Sequence, residues 1–125
     1  MRHAGLRLSC SLLILCGAMR AAQARPMTLM ESRPAAHAVM SGAVTQFFVR
    51  FDGPVDHAAS VLTVLGNGRV VQSLHARLNS QPDTLYASGG KLPPGDYVLQ
   101  WQTRSMADHD VSSGSIPFSV ARHAP

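Results

Sequence analysis

The fold of this chain is decided by Lys91-Leu92-Pro93-Pro94-Gly95-Asp96-Tyr97-Val98-Leu99-Gln100-Trp101. Pro-Pro-Gly-Asp predicts a turn, because proline fixes φ and glycine tolerates the conformations that tight turns require. From Tyr97 onward the side chains alternate, with Tyr97, Leu99 and Trp101 on one face and polar residues among those on the other. Phe118 and Val120 repeat this spacing near the C-terminus. The alternation predicts two β-strands, each with one buried face.

Further short strand-like runs occur upstream, and no window shows a helical stripe. They cover residues 27–32, 44–51, 61–65, 69–74 and 84–88. Gly66-Asn67-Gly68, between the third and fourth runs, predicts a hairpin. The sequence therefore predicts an all-β protein of six or seven strands, an antiparallel sandwich or flattened barrel. Its expected core comprises Phe47, Val49, Phe51, Leu62, Val64, Tyr97, Leu99, Trp101, Phe118 and Val120.

The N-terminus has the pattern of a secretory signal. Arg2 and Arg7 precede an apolar run over residues 8–19, and Ala22-Gln23-Ala24 is a small-x-small cleavage sequence. The run is shorter than the roughly 18–20 residues that span a bilayer. We predict a cleaved signal over 1–24, one domain over 25–121 and a tail over 122–125; a short membrane anchor is the alternative for the first segment.

Cleavage would change the charge and the cysteine content. Three of the 11 basic residues lie in the signal and none of the seven acidic ones do, so the net charge falls from +4 to about +1. That balance excludes the basic face of a nucleic-acid-binding protein. Both cysteines, Cys10 and Cys16, also leave. The mature protein, expected to be a soluble monomer, therefore has no disulfide, no thiolate metal ligand and no cysteine nucleophile.

One cluster of metal-capable groups, Asp108-His109-Asp110, lies between the last two predicted strands. Imidazole nitrogen with carboxylate oxygen is a donor set that suits Cu(II). The two aspartates are alternatively turn residues whose carboxylates accept hydrogen bonds from backbone amides. The other histidines of the mature chain are interpreted as surface loop (His37), solvated turn (His57) and tail (His123) residues, and His75 stands alone after the fourth run. Met27, Met30 and Met106 are interpreted as core filler; the alternative is a mixed methionine–histidine site that includes Met27 and Met106.

Several motifs together resemble the CopC family of periplasmic copper-resistance proteins. They are Leu29-Met30-Glu31-Ser32-Arg33-Pro34-Ala35, Phe51-Asp52-Gly53-Pro54-Val55-Asp56, Leu92-Pro93-Pro94-Gly95-Asp96-Tyr97, Trp101 and Ser105 with Asp108-His109. The resemblance extends over nearly all of residues 27–120. It implies a seven-stranded Greek-key sandwich that binds copper in the periplasm and hands it on without catalysing a reaction.

The resemblance also implies where copper binds. Family members use a mature N-terminal His together with a D-x-H pair before the last strand, assisted by a carboxylate after an earlier strand. In this chain Pro26 occupies the position of the N-terminal His, and Gly53 stands where the family often has Glu. By resemblance, His109 is the anchoring ligand, Asp108 or Asp110 adds oxygen, and Asp52 is a further contributor. Without the N-terminal chelate, binding is expected to be weaker.

The resemblance favours Cu(II) over Cu(I), because residues 64–69, which match the family's methionine-rich Cu(I) loop, contain no methionine. Three possibilities stay open. One is a copper carrier with a modified site. Another is a metal-free interaction module that docks on an inner-membrane copper transporter. The third is a site rebuilt around Met106, Asp108 and His109 or completed by a partner. A histidine-brace enzyme would require the N-terminal His.

Overall fold

A computed structural model describes residues 26–41 and 46–122. These segments form eight strands and no helix: β1 (Leu29–Arg33), β2 (Ala38–Met40), β3 (Gln46–Phe51), β4 (Val61–Gly66), β5 (Arg69–Leu74), β6 (Thr84–Ser88), β7 (Gly95–Arg104) and β8 (Val111–Val120). No helix in the described segments is long and apolar enough to cross a bilayer. The predicted signal, residues 44–45 of the predicted strand over 44–51, and residues 123–125 of the predicted tail lie outside the described residues.

The strands form two sheets. One contains three strands in the order β1-β3-β6, and the other contains five in the order β2-β8-β7-β4-β5. Every pairing is antiparallel except that of β2 with β8, which is parallel. The apolar faces of the two sheets supply the core, so the predicted all-β sandwich is confirmed.

The longest strand pair positions the candidate site. Strand β7 pairs with β8 in an unbroken register from Gly95 opposite Val120 to Arg104 opposite Val111. On β7 the side chains of Tyr97, Leu99 and Trp101 are buried, as their alternation predicted. The turn over residues 105–110, which carries His109, is therefore held at the end of a ten-residue ladder.

The predicted hairpin between β4 and β5 is also confirmed. Asn67 and Gly68 have φ values of 53° and 74°. Two consecutive left-handed residues are the hallmark of a type I′ turn, whose twist matches that of the flanking strands. The pairing shifts by one residue between Val64 and Leu65, where the ladder is irregular.

All ten residues expected in the core are buried. The rings of Phe51 and Trp101 meet edge to face across the two sheets, with centroids 4.9 Å apart and an interplanar angle of 68°. The core contains further apolar residues beyond the ten predicted ones: Val55, Leu74, Leu85, Ala87, Leu92 and Ile116.

The predicted strand number and the uniformly antiparallel pairing need correction. The additional strand is β2, three residues that pair in parallel with Phe118–Val120 of β8. The N–H of His37 leads into this strand by donating to the carbonyl oxygen of Pro117 at 2.7 Å. A three-residue strand is too short to show a period of two, so alternation gave no signal for it. Strand β1 also begins later than predicted, at Leu29.

Candidate metal centre

Three segments meet at the end of the sandwich where β7 passes into β8. They are residues 26–28 before β1, the turn that follows β3, and the turn over residues 105–110. The N–H of Asp52 donates to the carbonyl oxygen of Thr28 at 3.0 Å, and the N–H of Thr28 donates to Oδ1 of Asp52 at 3.1 Å. These reciprocal bonds fix the start of the described chain against the turn after β3.

The turn after β3 is joined in the same way to the turn over 105–110. The N–H of Met106 donates to the carbonyl oxygen of Pro54 at 3.0 Å, and Val55 forms an isolated antiparallel bridge with Ser105. The N–H of Asp56 donates to the carbonyl oxygen of Arg104 at 2.9 Å. Backbone bonds thus hold the segment containing Asp52 alongside the turn that carries His109.

Ser105 organises the turn over residues 105–110. It is buried, its N–H donates to the carbonyl oxygen of Asp110 at 2.9 Å, and its own carbonyl accepts from the N–H of His109 at 3.0 Å. Its hydroxyl accepts from the N–H of Ala107 at 3.2 Å. These bonds are made within the turn, and His109 is exposed at its surface.

His109 has a φ of 61°, in the left-handed region. Histidine is among the residues that enter this region more often than most others do. The conformation places an imidazole at the tip of the turn without requiring glycine there.

The aspartates beside His109 have unequal roles. Oδ1 of Asp108 accepts from the N–H of Asp110 at 3.0 Å, so the expectation of an Asx-type turn bond is confirmed for Asp108. Asp108 is exposed and Asp110 is half-buried. Each carboxylate has two oxygens and about four acceptor sites, so one amide bond leaves Asp108 able to bind a cation.

The structure brings all four predicted ligands to one end of the molecule but does not assemble them. Asp108, His109 and Asp110 share one turn, and Asp52 lies on the turn bonded to it. Yet no group of three or more His, Cys, Asp or Glu side chains is arranged to hold a metal ion anywhere in residues 26–41 and 46–122. Nitrogen and carboxylate donors alone therefore do not make a preformed site in this part of the chain.

The position that matches the family's N-terminal His also lies at this end. The N–H of Met27 donates to Oγ of Ser112 at 3.0 Å, next to the first residue of β8. Pro26 immediately precedes it and is exposed. A histidine at this position would be close to the turn over 105–110, but proline supplies no imidazole.

The expectation of a solvated turn for His57 was wrong. Its Nε2 lies 2.9 Å from the carbonyl oxygens of both Gln81 and Thr84. Because carbonyl oxygens only accept, Nε2 carries the proton and His57 ties the loop after β3 to the turn before β6. The sequence holds no signal for this role, since both acceptors are backbone atoms. His37 is exposed, as expected; His75 is exposed as well, and His123 lies outside the described residues.

The family model for the CopC domain matches residues 29–121. The chain belongs to the CopC family. The match covers all eight strands and the turns that carry Asp52 and His109, so the resemblance seen in the sequence is confirmed. No curated protein matches the chain.

Solved structures share the fold. CopC from Methylosinus trichosporium OB3b aligns with a TM-score of 0.72 and 24% identity, covering 79% of this chain and 97% of that one. PcoC from Escherichia coli, described as a methionine-rich copper resistance protein, aligns with a TM-score of 0.59 and 20% identity, covering 77% of this chain and 99% of that one. Both chains are matched over nearly their whole length.

Proposed function

We propose that this CopC-family protein is exported to the periplasm, where it contributes to copper resistance and homeostasis by binding copper and handing it on. Its domain matches the family model over residues 29–121, and PcoC, with the same fold, is described as a copper resistance protein. The observation that carries the proposal is the convergence of the N-terminal segment, the Asp52 turn and the His109 turn.

In this proposal His109 anchors Cu(II) through one imidazole nitrogen, and Asp108 or Asp110 adds a carboxylate oxygen. Asp52 contributes from the neighbouring turn. Imidazole and carboxylate suit the tetragonal preference of Cu(II). The ladder of β7 and β8, the bonds of Ser105 within the turn and the Met106–Pro54 bond support the position of these groups.

The donor set is exposed and incomplete, which fits a carrier. Pro26 replaces the histidine that would add an amine and an imidazole nitrogen, and no three donors of the His and carboxylate type are preassembled in the described residues. Positions left open on the metal are available to water or to the ligands of a recipient protein. Such a recipient, an inner-membrane copper transporter in this proposal, removes copper readily because few protein bonds must break.

Calorimetric titration of the exported protein with Cu(II) tests this function. We expect one site that is lost in His109→Ala and kept in His37→Ala and His75→Ala, two exposed histidines outside the turn. An unchanged isotherm for His109→Ala would contradict the assignment. The missing three-donor group favours one alternative, a metal-free module that docks on a membrane copper transporter, and the absence of any Cu(II) binding would support it.

A further inference from the structure

Two methionine sulfurs lie at the same end of the sandwich as His109. The first belongs to Met27, whose N–H is held by Oγ of Ser112 and whose half-buried side chain packs against the core. A Cβ placed on Gly53 would lie 3.8 Å from Cε of Met27. The thioether therefore reaches over the turn after β3, towards the segment that contacts the His109 turn.

The second belongs to Met106, which enters the His109 turn three residues before the histidine. Its N–H is bonded to the carbonyl oxygen of Pro54, the residue after Gly53. Its side chain is 51% exposed, a large unpartnered thioether at the surface. The side chain of Met27 thus lies against Gly53, and the backbone of Met106 is bonded to the next residue, Pro54, so both methionines adjoin the same turn after β3.

The chemistry of these donors differs from that of the aspartates. Thioether sulfur is soft and uncharged, and it selects Cu(I) over harder ions, whereas carboxylate oxygen does the reverse. An imidazole nitrogen binds copper in either oxidation state. In the described residues no three His, Cys, Asp or Glu side chains are grouped to hold a metal ion, so this end of the sandwich has too few hard donors for a complete site. It does carry two thioether sulfurs.

We infer that Met27, Met106 and His109 form a Cu(I) site, with two thioether sulfurs and one imidazole nitrogen as ligands. The inference rests on the proposed copper function and specifies its metal. His109 is then shared: it binds Cu(II) with the carboxylates on one side or Cu(I) with the sulfurs on the other. The protein holds copper in either oxidation state at one end of the fold, and the loop over residues 64–69 is not needed.

The test is a competition for Cu(I) between the exported protein and bicinchoninate, without oxygen. Met27→Leu and Met106→Leu should each weaken Cu(I) binding by at least about tenfold, which corresponds to about 1.4 kcal/mol. Matched controls are available for both. Met30 is 54% exposed on β1, and Met40 packs half-buried against the core beside Val120, at the opposite end. Met30→Leu and Met40→Leu should leave the affinity unchanged.

X-ray absorption of the Cu(I) protein should show sulfur scatterers that decrease in Met106→Leu. Affinities of Met27→Leu and Met106→Leu within about twofold of wild type would overturn the Cu(I) site, as would equal losses in the two controls. Titration of the same variants with Cu(II) separates the two proposals. If the variants keep Cu(II) binding and also bind Cu(I) as tightly as wild type does, the Cu(I) site is wrong but the proposed copper function stands. If the wild-type protein binds neither ion, both the Cu(I) site and the proposed copper function are wrong.

Discussion

The indole ring of Trp101 lies directly over Gly114, its partner on the neighbouring strand β8. A Cβ on Gly114 would fall 2.6 Å from Cε2 and 2.8 Å from Nε1 of the indole, closer than a Cβ atom approaches a non-bonded heavy atom in real structures. The ring thus occupies the space that a side chain would take, and its edge-to-face contact with Phe51 depends on that space. The pair joins the two sheets near the end that carries the candidate metal centre.

Gly114→Ala should destabilise the protein because the new methyl group forces the indole away from Phe51. Overpacking of this kind costs about 1–3 kcal/mol. Urea denaturation measures the loss, with Ser115→Ala, at the exposed next position of β8, as the control. Equal stability of the two variants would show that the indole does not rest on Gly114.

Trp101→Ala removes the same ring instead of displacing it. Truncation of a buried aromatic side chain usually costs about 3–5 kcal/mol. Gln102→Ala, one residue along β7 and exposed, should cost little. A loss below about 1 kcal/mol for Trp101→Ala in denaturant melts would mean that the ring is not part of the core.

His57→Ala should lower stability without affecting copper. The change removes the imidazole donor from the carbonyl oxygens of Gln81 and Thr84, which still accept from the N–H of Thr84 and the hydroxyl of Ser80, so the cost is that of one ordinary hydrogen bond, about 0.5–1.5 kcal/mol. His75→Ala is the matched control, because His75 is exposed just after β5. Thermal melts and Cu(II) titrations of both variants check the prediction. A weaker Cu(II) affinity in His57→Ala than in His75→Ala would indicate instead that His57 is a copper ligand.

Export should produce a chain that begins at Arg25 and contains no cysteine. The basic start, the short apolar run and Ala22-Gln23-Ala24 predict cleavage after Ala24. Intact-mass analysis of periplasmic protein tests this directly. Retention of Cys10 or Cys16 would refute it and would favour the short membrane anchor.

Much of the fold was predictable because half-buried strands carry their periodicity in the sequence. The alternation of Tyr97, Leu99 and Trp101 predicted both strand β7 and its buried face. The dipeptide Asn67-Gly68 predicted the hairpin turn. Strand β2 was not predictable, because three residues show no period and its partner is eighty residues away along the chain.

The candidate site was only partly predictable. The turn with Asp108, His109 and Asp110 is visible in the sequence as a cluster of metal-capable residues. Its attachment to the rest of the site is not visible, since the bonds from the N–H of Met106 to Pro54 and from the N–H of Asp52 to Thr28 join backbone atoms that every residue type except proline possesses.

The central claim, that His109 anchors copper without an N-terminal chelate, is tested most directly by Cu(II) electron paramagnetic resonance of the mature protein. The nitrogen hyperfine pattern reports how many nitrogen atoms bind the metal. We predict one imidazole nitrogen in wild type, with oxygen donors completing the site, and its loss in His109→Ala. A pattern from several nitrogens, or an unchanged spectrum in His109→Ala, would contradict it.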